Sequence, residues 1–174
     1  MGNTHFEKVS FERFLRACRQ SDSTCGLRTA KEEVVRDVYN LIQLPRRATS
    51  GSAGYDFYVP YPCSFTPGVP TFIPTGIRVF LEPNQFLMCV PRSGLGFKYG
   101  SRLKNVLGII DFDFCYTDSE GQIMAKIDCD EPFSLLAGDR FMQGIILNYG
   151  ITNDDNPIKS ERTGGFGSTG GTGA

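Results

Sequence analysis

Two features of the sequence predict an all-β fold with a short helical extension at its N-terminus. From residue 41 onward, short runs rich in β-branched and aromatic residues alternate with closely spaced turn signals such as Pro67-Gly68 and Pro83-Asn84. Before residue 41, apolar residues recur at the spacing of an amphipathic helix. The 174 residues fit a single domain. We therefore expect the body to be a sandwich, a barrel or a jelly roll, and not a parallel α/β sheet.

Residues 1–40 are predicted to form two helices that pack on the β-body. The first begins after Ser10, a residue type that commonly caps helices. Its apolar stripe falls at positions i, i+3, i+4 and i+7: Phe11, Phe14, Leu15 and Cys18. Residues 29–32, Thr-Ala-Lys-Glu, have the pattern of a capping box and predict the start of the second helix. Three valines of this helix are expected to point inward: Val34, Val35 and Val38.

Residues 41–160 are predicted to form the β-body. Six of their runs are predicted strands: 55–59, 77–81, 86–90, 106–110, 123–127 and 141–149. The last segment, residues 161–174, is rich in glycine and cannot pack a core by itself. We therefore expect it to form a flexible arm.

The composition narrows the possible classes of function. A net charge of −1 and a pI near 5.8 provide no broad positive field, so the sequence predicts binding neither to nucleic acid nor to a membrane. No stretch approaches the roughly 18 apolar residues of a membrane span, and we expect a cytoplasmic protein. The six cysteines include no Cys-x-x-Cys pair, and His5 is the only histidine. Zinc sites and Ser-His-Asp or Cys-His catalysis are therefore disfavoured.

Two acidic residues follow one of the predicted strands. Asp111 and Asp113 stand at positions i and i+2, so on an extended chain their side chains would point the same way. A carboxylate at the end of a buried strand can act as a general base toward water. Acids at strand ends are more often turn residues, and this segment alone does not decide between the two interpretations.

Two glycine-containing segments offer groups that bind phosphate. Residues 91–98, Pro-Arg-Ser-Gly-Leu-Gly-Phe-Lys, supply a guanidinium, a hydroxyl and backbone amides that small residues leave accessible. Residues 162–170, Arg-Thr-Gly-Gly-Phe-Gly-Ser-Thr-Gly, repeat these groups and add an aromatic ring that can stack on a base. The second segment lacks the spacing of a P-loop. The alternative interpretations are a polar surface loop and a low-complexity tail.

Taken together, five segments resemble the motifs of the trimeric dUTPase family in order and approximate spacing. They are Ala53 to Asp56, Pro91 to Leu95, Asn105 with Gly108 to Asp113, Gly138 to Gln143, and Arg162 to Gly170. The resemblance covers about residues 41–171. Any one motif is weak, but five in order are not a chance match. The resemblance implies a distorted jelly-roll or β-barrel subunit that hydrolyses dUTP to dUMP and pyrophosphate. It also implies a homotrimer whose active sites are shared between chains.

The resemblance implies roles for individual residues. Asp111 matches the catalytic aspartate that activates water for attack on the α-phosphorus. Asn105 and the hairpin up to Phe114, including Gly108 and Ile110, match the pocket that pairs with uracil and rejects bases with another donor pattern. The residues that match phosphate contacts are Arg92, Ser93, Gly94 and Gln143. The residues that match an arm closing over the base and the γ-phosphate are Arg162, Phe166, Gly167, Ser168 and Thr169.

A triphosphate substrate also implies a magnesium ion. Mg²⁺ keeps several of its waters and needs few dedicated protein ligands. We therefore expect no direct protein ligand. Asp56 matches a carboxylate that acts on the metal through water.

The sequence departs from the family pattern at two places. Phe114 stands where tyrosine is typical, so its ring can lie against deoxyribose but any contact from a phenolic oxygen is lost. Residues 115–120 expand a place where many relatives have a single residue, which favours a longer hairpin tip over a new ligand contact.

Two other functions remain open from the sequence. A dCTP deaminase shares the fold, and ammonia release from dCTP would identify it. A regulator that binds a nucleotide or a protein partner without turnover is the second alternative, although Asp111, Ser93 and Gln143 are all retained.

Overall fold

Strands account for most of the regular structure of the protein. The computed structural model describes residues 3–20 and 25–157. The strands in these residues are β1 His5–Lys8, β2 Arg46–Arg47, β3 Tyr55–Tyr58, β4 Cys63–Phe65, β5 Thr71–Pro74, β6 Ile77–Phe80, β7 Gln85–Pro91, β8 Arg102–Leu103, β9 Gly108–Asp111, β10 Met124–Asp128, β11 Phe133–Leu135 and β12 Arg140–Asn148. The helices are α1 Phe11–Cys18, α2 Glu32–Asn40 and α3 Ser93–Tyr99, with a short 3₁₀ helix at Phe112–Tyr116. The all-β prediction is confirmed.

The sheets form a jelly-roll-like barrel of antiparallel strands. The largest sheet has five strands in the order β2-β3-β12-β7-β9. Strand β12 pairs with β3 along one edge and with β7 along the other. A three-stranded sheet, β5-β10-β8, and two pairs, β1-β6 and β11-β4, complete the barrel. Most neighbouring strands are distant in sequence, so the chain crosses between sheets repeatedly.

The core lies inside the barrel and is built by alternation along the strands. In β6, Ile77 and Val79 are buried, while Arg78 and Phe80 are only partly buried. This period of two directs every second side chain inward. The largest side chains that are fully buried are Phe14, Phe57, Phe141, Ile73, Ile77 and Leu87.

The N-terminal segment is joined to the barrel by a strand as well as by helices. Strand β1 pairs with β6, from His5 opposite Phe80 to Lys8 opposite Ile77. The predicted start of α1 is confirmed, because the Ser10 hydroxyl accepts a hydrogen bond from the backbone amide of Arg13 at 3.2 Å. The α1 residue Phe14 is fully buried in the common core.

The predicted start of the second helix was wrong. Helix α2 begins at Glu32 after Lys31, which makes no side-chain capping bond. Residues 26–29 form a turn instead, closed by a bond from the Ala30 amide to the Leu27 carbonyl. In the helix as it forms, Val35 is buried whereas Val34 is 47 % exposed. The prediction that Val34 points inward was therefore also wrong.

Two further segments differ from the prediction. The strand expected at 106–110 begins only at Gly108, because Val106 has a φ of 68° in a tight turn closed on Leu103. Most of the segment 91–98 forms helix α3, which the sequence analysis did not predict and which ends at Gly100 in the left-handed conformation. Its glycine content hid the helix, since glycine disfavours helix interiors. Among the described residues, no helix is long and apolar enough to cross a membrane.

Candidate functional site

A partly open cavity lies between strand β9 and the start of strand β10. Its volume is about 220 Å³, which suits a group the size of a nucleobase better than a drug-sized ligand. Four residues singled out from the sequence line it: Asn105, Gly108, Ile110 and Phe114. Asn105 is exposed at its rim, whereas Phe114 is buried in its wall.

Close backbone packing shapes this cavity. Strand β9 pairs with β7 so that Gly108 lies opposite Cys89, and a Cβ at residue 108 would lie 3.2 Å from the Cβ of Cys89. Gly121 has a φ of 65°, and a Cβ there would lie 2.5 Å from the Cα of Cys115. Both positions therefore favour glycine: Gly108 lets β9 lie close to β7 in the cavity wall, and Gly121 lets the chain before β10 pack on the 3₁₀ helix that carries Phe114.

Most of the cavity wall is uncharged. Leu103, Ile123 and Met142 are buried and apolar. Burial raises the pKa of Cys89 to about 12, so its thiol stays protonated at neutral pH. A neutral ligand group suits this environment better than a charged one.

The cavity also contains a polar side chain that the sequence analysis missed. Gln122 is fully buried and lines the cavity. Among the residues that the structure describes, neither its Nε2 nor its Oε1 has a hydrogen-bond partner. The one available signal was a polar residue between Gly121 and an apolar strand.

Asp111 lies next to this cavity, at the end of β9. It is exposed and lies opposite Phe86 of β7. Asp111 and Asp113 line a second, more open cavity together with Tyr149. The extended geometry expected for the two acids was wrong, because Asp113 lies in the 3₁₀ helix. They nevertheless face the same open space.

A buried carboxylate organises a second group of residues at the other end of β7. Asp56 is only 6 % exposed. Its Oδ1 lies 3.2 Å from Nε of Arg92, and its Oδ2 accepts a hydrogen bond of 3.1 Å from Nη1 of Arg140. Gln143 lies opposite Asp56 in the β3–β12 ladder. Arg140 belongs to the fourth matched segment, but sequence reasoning gave it no role.

Ser93 and Gly94 follow Arg92 directly and form the first turn of α3, where both are exposed. The amides of Leu95 and Gly96 bond to the carbonyl of Arg92, whereas the first amides of a helix have no acceptor within it. A hydroxyl, accessible amides and two fixed guanidinium groups together form an arrangement that can bind an anion.

One chain does not bring all the predicted residues together. Asp111 lies opposite Phe86, whereas Arg92 follows the far end of the same strand. At about 3.3 Å per residue, the strand separates these two points by about 20 Å. The predicted arm residues Arg162, Phe166, Gly167, Ser168 and Thr169 lie outside the described residues.

The fold and these groups define a β-barrel protein with a small, uncharged cavity that suits a neutral ring and a separate cluster of polar and charged groups that can bind an anion. The sequence model of the dUTPase family matches residues 40–170. A deoxyuridine 5'-triphosphate nucleotidohydrolase of Lactococcus lactis is 38 % identical over 143 residues, which cover 79 % of this chain and 95 % of that protein. The chain therefore belongs to the dUTPase family.

Solved structures agree with this assignment. A dUTPase from Streptococcus mutans superposes with a TM-score of 0.60 at 26 % identity, over 85 % of this chain and 98 % of that one. A dUTPase of Staphylococcus bacteriophage 80alpha, solved with dUPNHPP, superposes with a TM-score of 0.59 over 98 % and 99 %. At 16 % identity, this second likeness shows the fold alone.

Proposed function

We propose that the protein hydrolyses dUTP to dUMP and pyrophosphate. The observation that carries the proposal is the family match over residues 40–170 together with the cavity lined by four of the motif residues. All six cysteines are buried and none is paired in a disulfide, which supports the proposal of a cytoplasmic location.

In this proposal the cavity holds the uracil base. Asn105 and the backbone of the hairpin, including Gly108 and Ile110, pair with its polar edge. A base with the wrong donor pattern leaves a buried group unpaired, which costs about 1–3 kcal/mol. The ring of Phe114 lies in the cavity wall, where it can contact deoxyribose and disfavour a 2′-hydroxyl.

Asp111 is the proposed general base. Its carboxylate takes a proton from water while the water oxygen forms a bond to the α-phosphorus. The bond from that phosphorus to the bridging oxygen breaks, and pyrophosphate leaves. The exposed position of Asp111 beside the base cavity supports this role, because a water molecule can reach it.

The residues around Asp56 are proposed to bind the phosphates. Arg92, Ser93, Gly94 and Gln143 supply a positive charge, a hydroxyl, an amide and a carboxamide. Both oxygens of Asp56 already contact guanidinium groups, but each can still accept a bond from a metal-bound water. Asp56 would therefore hold Mg²⁺ through water, as the sequence suggests. The ion would offset the negative charge of the triphosphate when bound.

The active sites are proposed to be shared between the chains of a homotrimer. The separation of about 20 Å along β7 supports sharing, since one triphosphate cannot contact both ends of that strand. A neighbouring chain can supply the phosphate-binding group beside Asp111. Residues 162–170 are proposed to close over the base and the γ-phosphate, with Arg162, Phe166, Gly167, Ser168 and Thr169 making the contacts.

A pyrophosphate-release assay with dUTP, dTTP, dCTP and UTP in the presence of Mg²⁺ tests the proposed function. We expect rapid release from dUTP and much slower release from the other three nucleotides. Equal turnover of all four would contradict the assigned specificity. Ammonia release from dCTP would identify a deaminase instead.

A further inference from the structure

Gly54 belongs to the first matched segment, and the proposed function gives it no role. It is half-buried and lies directly before strand β3, in which Asp56 pairs with Gln143 of β12. Side chains two positions apart on an extended chain point to the same face of a sheet, and side chains directly opposite each other share that face. A side chain at residue 54 would therefore point toward the face that carries Asp56 and Gln143.

The side chain of Gln143 occupies the space that such a side chain would need. A Cβ on Gly54 would collide with Oε1 of Gln143, and it would lie 3.2 Å from Cδ and 3.3 Å from Cβ of the same residue. The carboxamide of Gln143 thus lies directly over the bare Cα of Gly54. Gly54 is not among the described glycines with a positive φ, so its backbone conformation does not require glycine. The requirement at this position is for space.

This contact bears on phosphate binding, because Gln143 is one of the residues proposed to hold the phosphates. The Nε2 of its carboxamide can donate a hydrogen bond to a phosphate oxygen. Its neighbour across the ladder, Asp56, already fixes Arg92 and Arg140. A long glutamine side chain loses rotamer freedom when it binds a ligand, and a position set in advance lowers this cost. The space over Gly54 provides such a position.

We propose that Gly54 is a positioning residue for the phosphate-binding group. Its bare Cα leaves room for the carboxamide of Gln143 beside Asp56, from where Nε2 donates to a phosphate oxygen. Any larger residue at position 54 pushes the carboxamide out of this place. The inference rests on the proposed function, and it gives the first matched segment a second role besides that of Asp56.

The variant Gly54→Ala tests this role, because it adds only the methyl group that meets Gln143. Calorimetric titration with dUPNHPP and Mg²⁺ should show a Kd raised by about 5- to 100-fold, since a hydrogen bond to a charged oxygen is weakened or lost. The Kd for deoxyuridine, which has the base and the sugar but no phosphate, should be unchanged. Urea unfolding without nucleotide should also be nearly unchanged, because the displaced atoms are the end of a flexible side chain.

Gly51→Ala is the matched control. Gly51 lies three positions earlier in the chain and is exposed. Within the part of the chain that the structure describes, a Cβ at this residue would meet no atom within 4 Å, and its φ is not positive. The same substitution should therefore leave the Kd for dUPNHPP unchanged.

A double-mutant cycle shows whether the effect of Gly54→Ala passes through Gln143. Gln143→Ala removes the carboxamide and should itself raise the Kd for dUPNHPP by about 10- to 100-fold. Adding Gly54→Ala to this variant should raise the Kd by less than about twofold, because no carboxamide remains to be displaced. A general disturbance of the loop would instead add its full effect in both backgrounds.

The inference is wrong if Gly54→Ala binds dUPNHPP as tightly as the wild type, or if it weakens binding equally with and without the Gln143 carboxamide. Equal weakening of dUPNHPP and deoxyuridine would also contradict it, because the damage would then reach beyond the phosphates. Unchanged binding by Gln143→Ala would overturn the phosphate contact and the inference with it. Wild-type protein that fails to hydrolyse dUTP would overturn the proposed function itself. Wild-type turnover with unchanged affinity in Gly54→Ala would overturn only the role of Gly54.

Discussion

At the scale of single residues, Asp56 shows how a buried carboxylate can fix an anion-binding group. Its two oxygens hold Arg92 and Arg140, and its side chain is almost entirely buried. One negative charge paired with two guanidinium groups leaves a net positive charge at the barrel surface. The arginines are thus oriented before any phosphate arrives, which lowers the entropy cost of binding.

The role of Asp111 leads to the first prediction. Asp111→Asn keeps the shape of the side chain but cannot accept a proton from water. We expect kcat for dUTP to fall by about 10²- to 10⁴-fold while dUPNHPP still binds. Stopped-flow measurement of pyrophosphate release and calorimetric titration check the two parts.

Asp118→Asn provides the control for that variant. Asp118 is an exposed acid seven positions further along the same hairpin, outside the cavities lined by Asp111 and Asn105. Its replacement should leave kcat unchanged. Near-normal turnover by Asp111→Asn would refute the assignment of the general base.

At the scale of elements, the expanded hairpin segment 115–120 is tied to the N-terminal segment. The amide of Ser10 donates to Oε2 of Glu120 at 2.7 Å, and the Ser10 hydroxyl donates to the other carboxylate oxygen. The same hydroxyl caps helix α1 by accepting from Arg13. The sequence predicted a longer hairpin tip at this place. Through Glu120, this tip joins helix α1 to the hairpin that carries Asp111.

The second prediction concerns this joint. Ser10→Ala removes both the helix cap and the bond from the hydroxyl to Glu120. The free energy of unfolding should fall by about 1–2 kcal/mol, measured by urea denaturation. Ser10→Thr keeps a hydroxyl and should lose much less. Equal losses in the two variants would show that the hydroxyl is not responsible.

The third prediction is a pH dependence of the same joint. Burial alone would raise the pKa of Glu120, but the hydroxyl and amide of Ser10, with Arg78 and Arg13 nearby, lower it below its usual 4.5. A lowered pKa stabilises the fold above about pH 4.5, and this contribution is lost as the pH falls through the folded-state pKa.

Glu120→Gln tests this dependence because glutamine does not titrate. The wild type should be more stable than the variant at pH 7, and the difference should shrink toward about pH 3. Urea denaturation at the two pH values measures it. A difference that grows on acidification would contradict the assigned direction.

The fourth prediction concerns the C-terminal segment. Truncation before Arg162 should lower kcat/KM for dUTP at least about tenfold, because the proposed contacts to the base and γ-phosphate are lost. The thermal unfolding of the barrel should be unchanged, since all the described strands end by Asn148. Removal of residues 172–174 alone is the control and should leave activity intact. An unchanged rate after the longer truncation would reject the closing arm.

At the scale of the whole molecule, local patterns predicted the elements that bury an apolar face. The strand that contains Ile77 and Val79 and the helix capped by Ser10 were predicted from periodicity, because their burial repeats at a fixed spacing. The short strand β1 was not predicted, since its four residues are all only partly buried and show no alternation. Its formation depends on pairing with β6, which sequence spacing does not reveal.

The candidate site was predictable where a motif marks it. Asp111, Asn105 and Phe114 could be identified because they belong to a segment that matches a family motif. Gln122 could not, because its burial and its unpaired amide depend on how segments distant in sequence pack around it. The turn at Val106 was missed for a different reason: a β-branched residue rarely adopts a positive φ, so valine does not indicate a turn.

The central claim is that dUTP is hydrolysed at sites to which one chain contributes Asp111 and another contributes Arg92. Asp111→Asn and Arg92→Ala should each be nearly inactive alone. When the two are refolded together in equal amounts, about one quarter of the sites combine an intact Asp111 with an intact Arg92. Pyrophosphate release from dUTP should therefore recover to about a quarter of the wild-type rate. A mixture that forms hybrid oligomers and remains as inactive as its components would contradict the account.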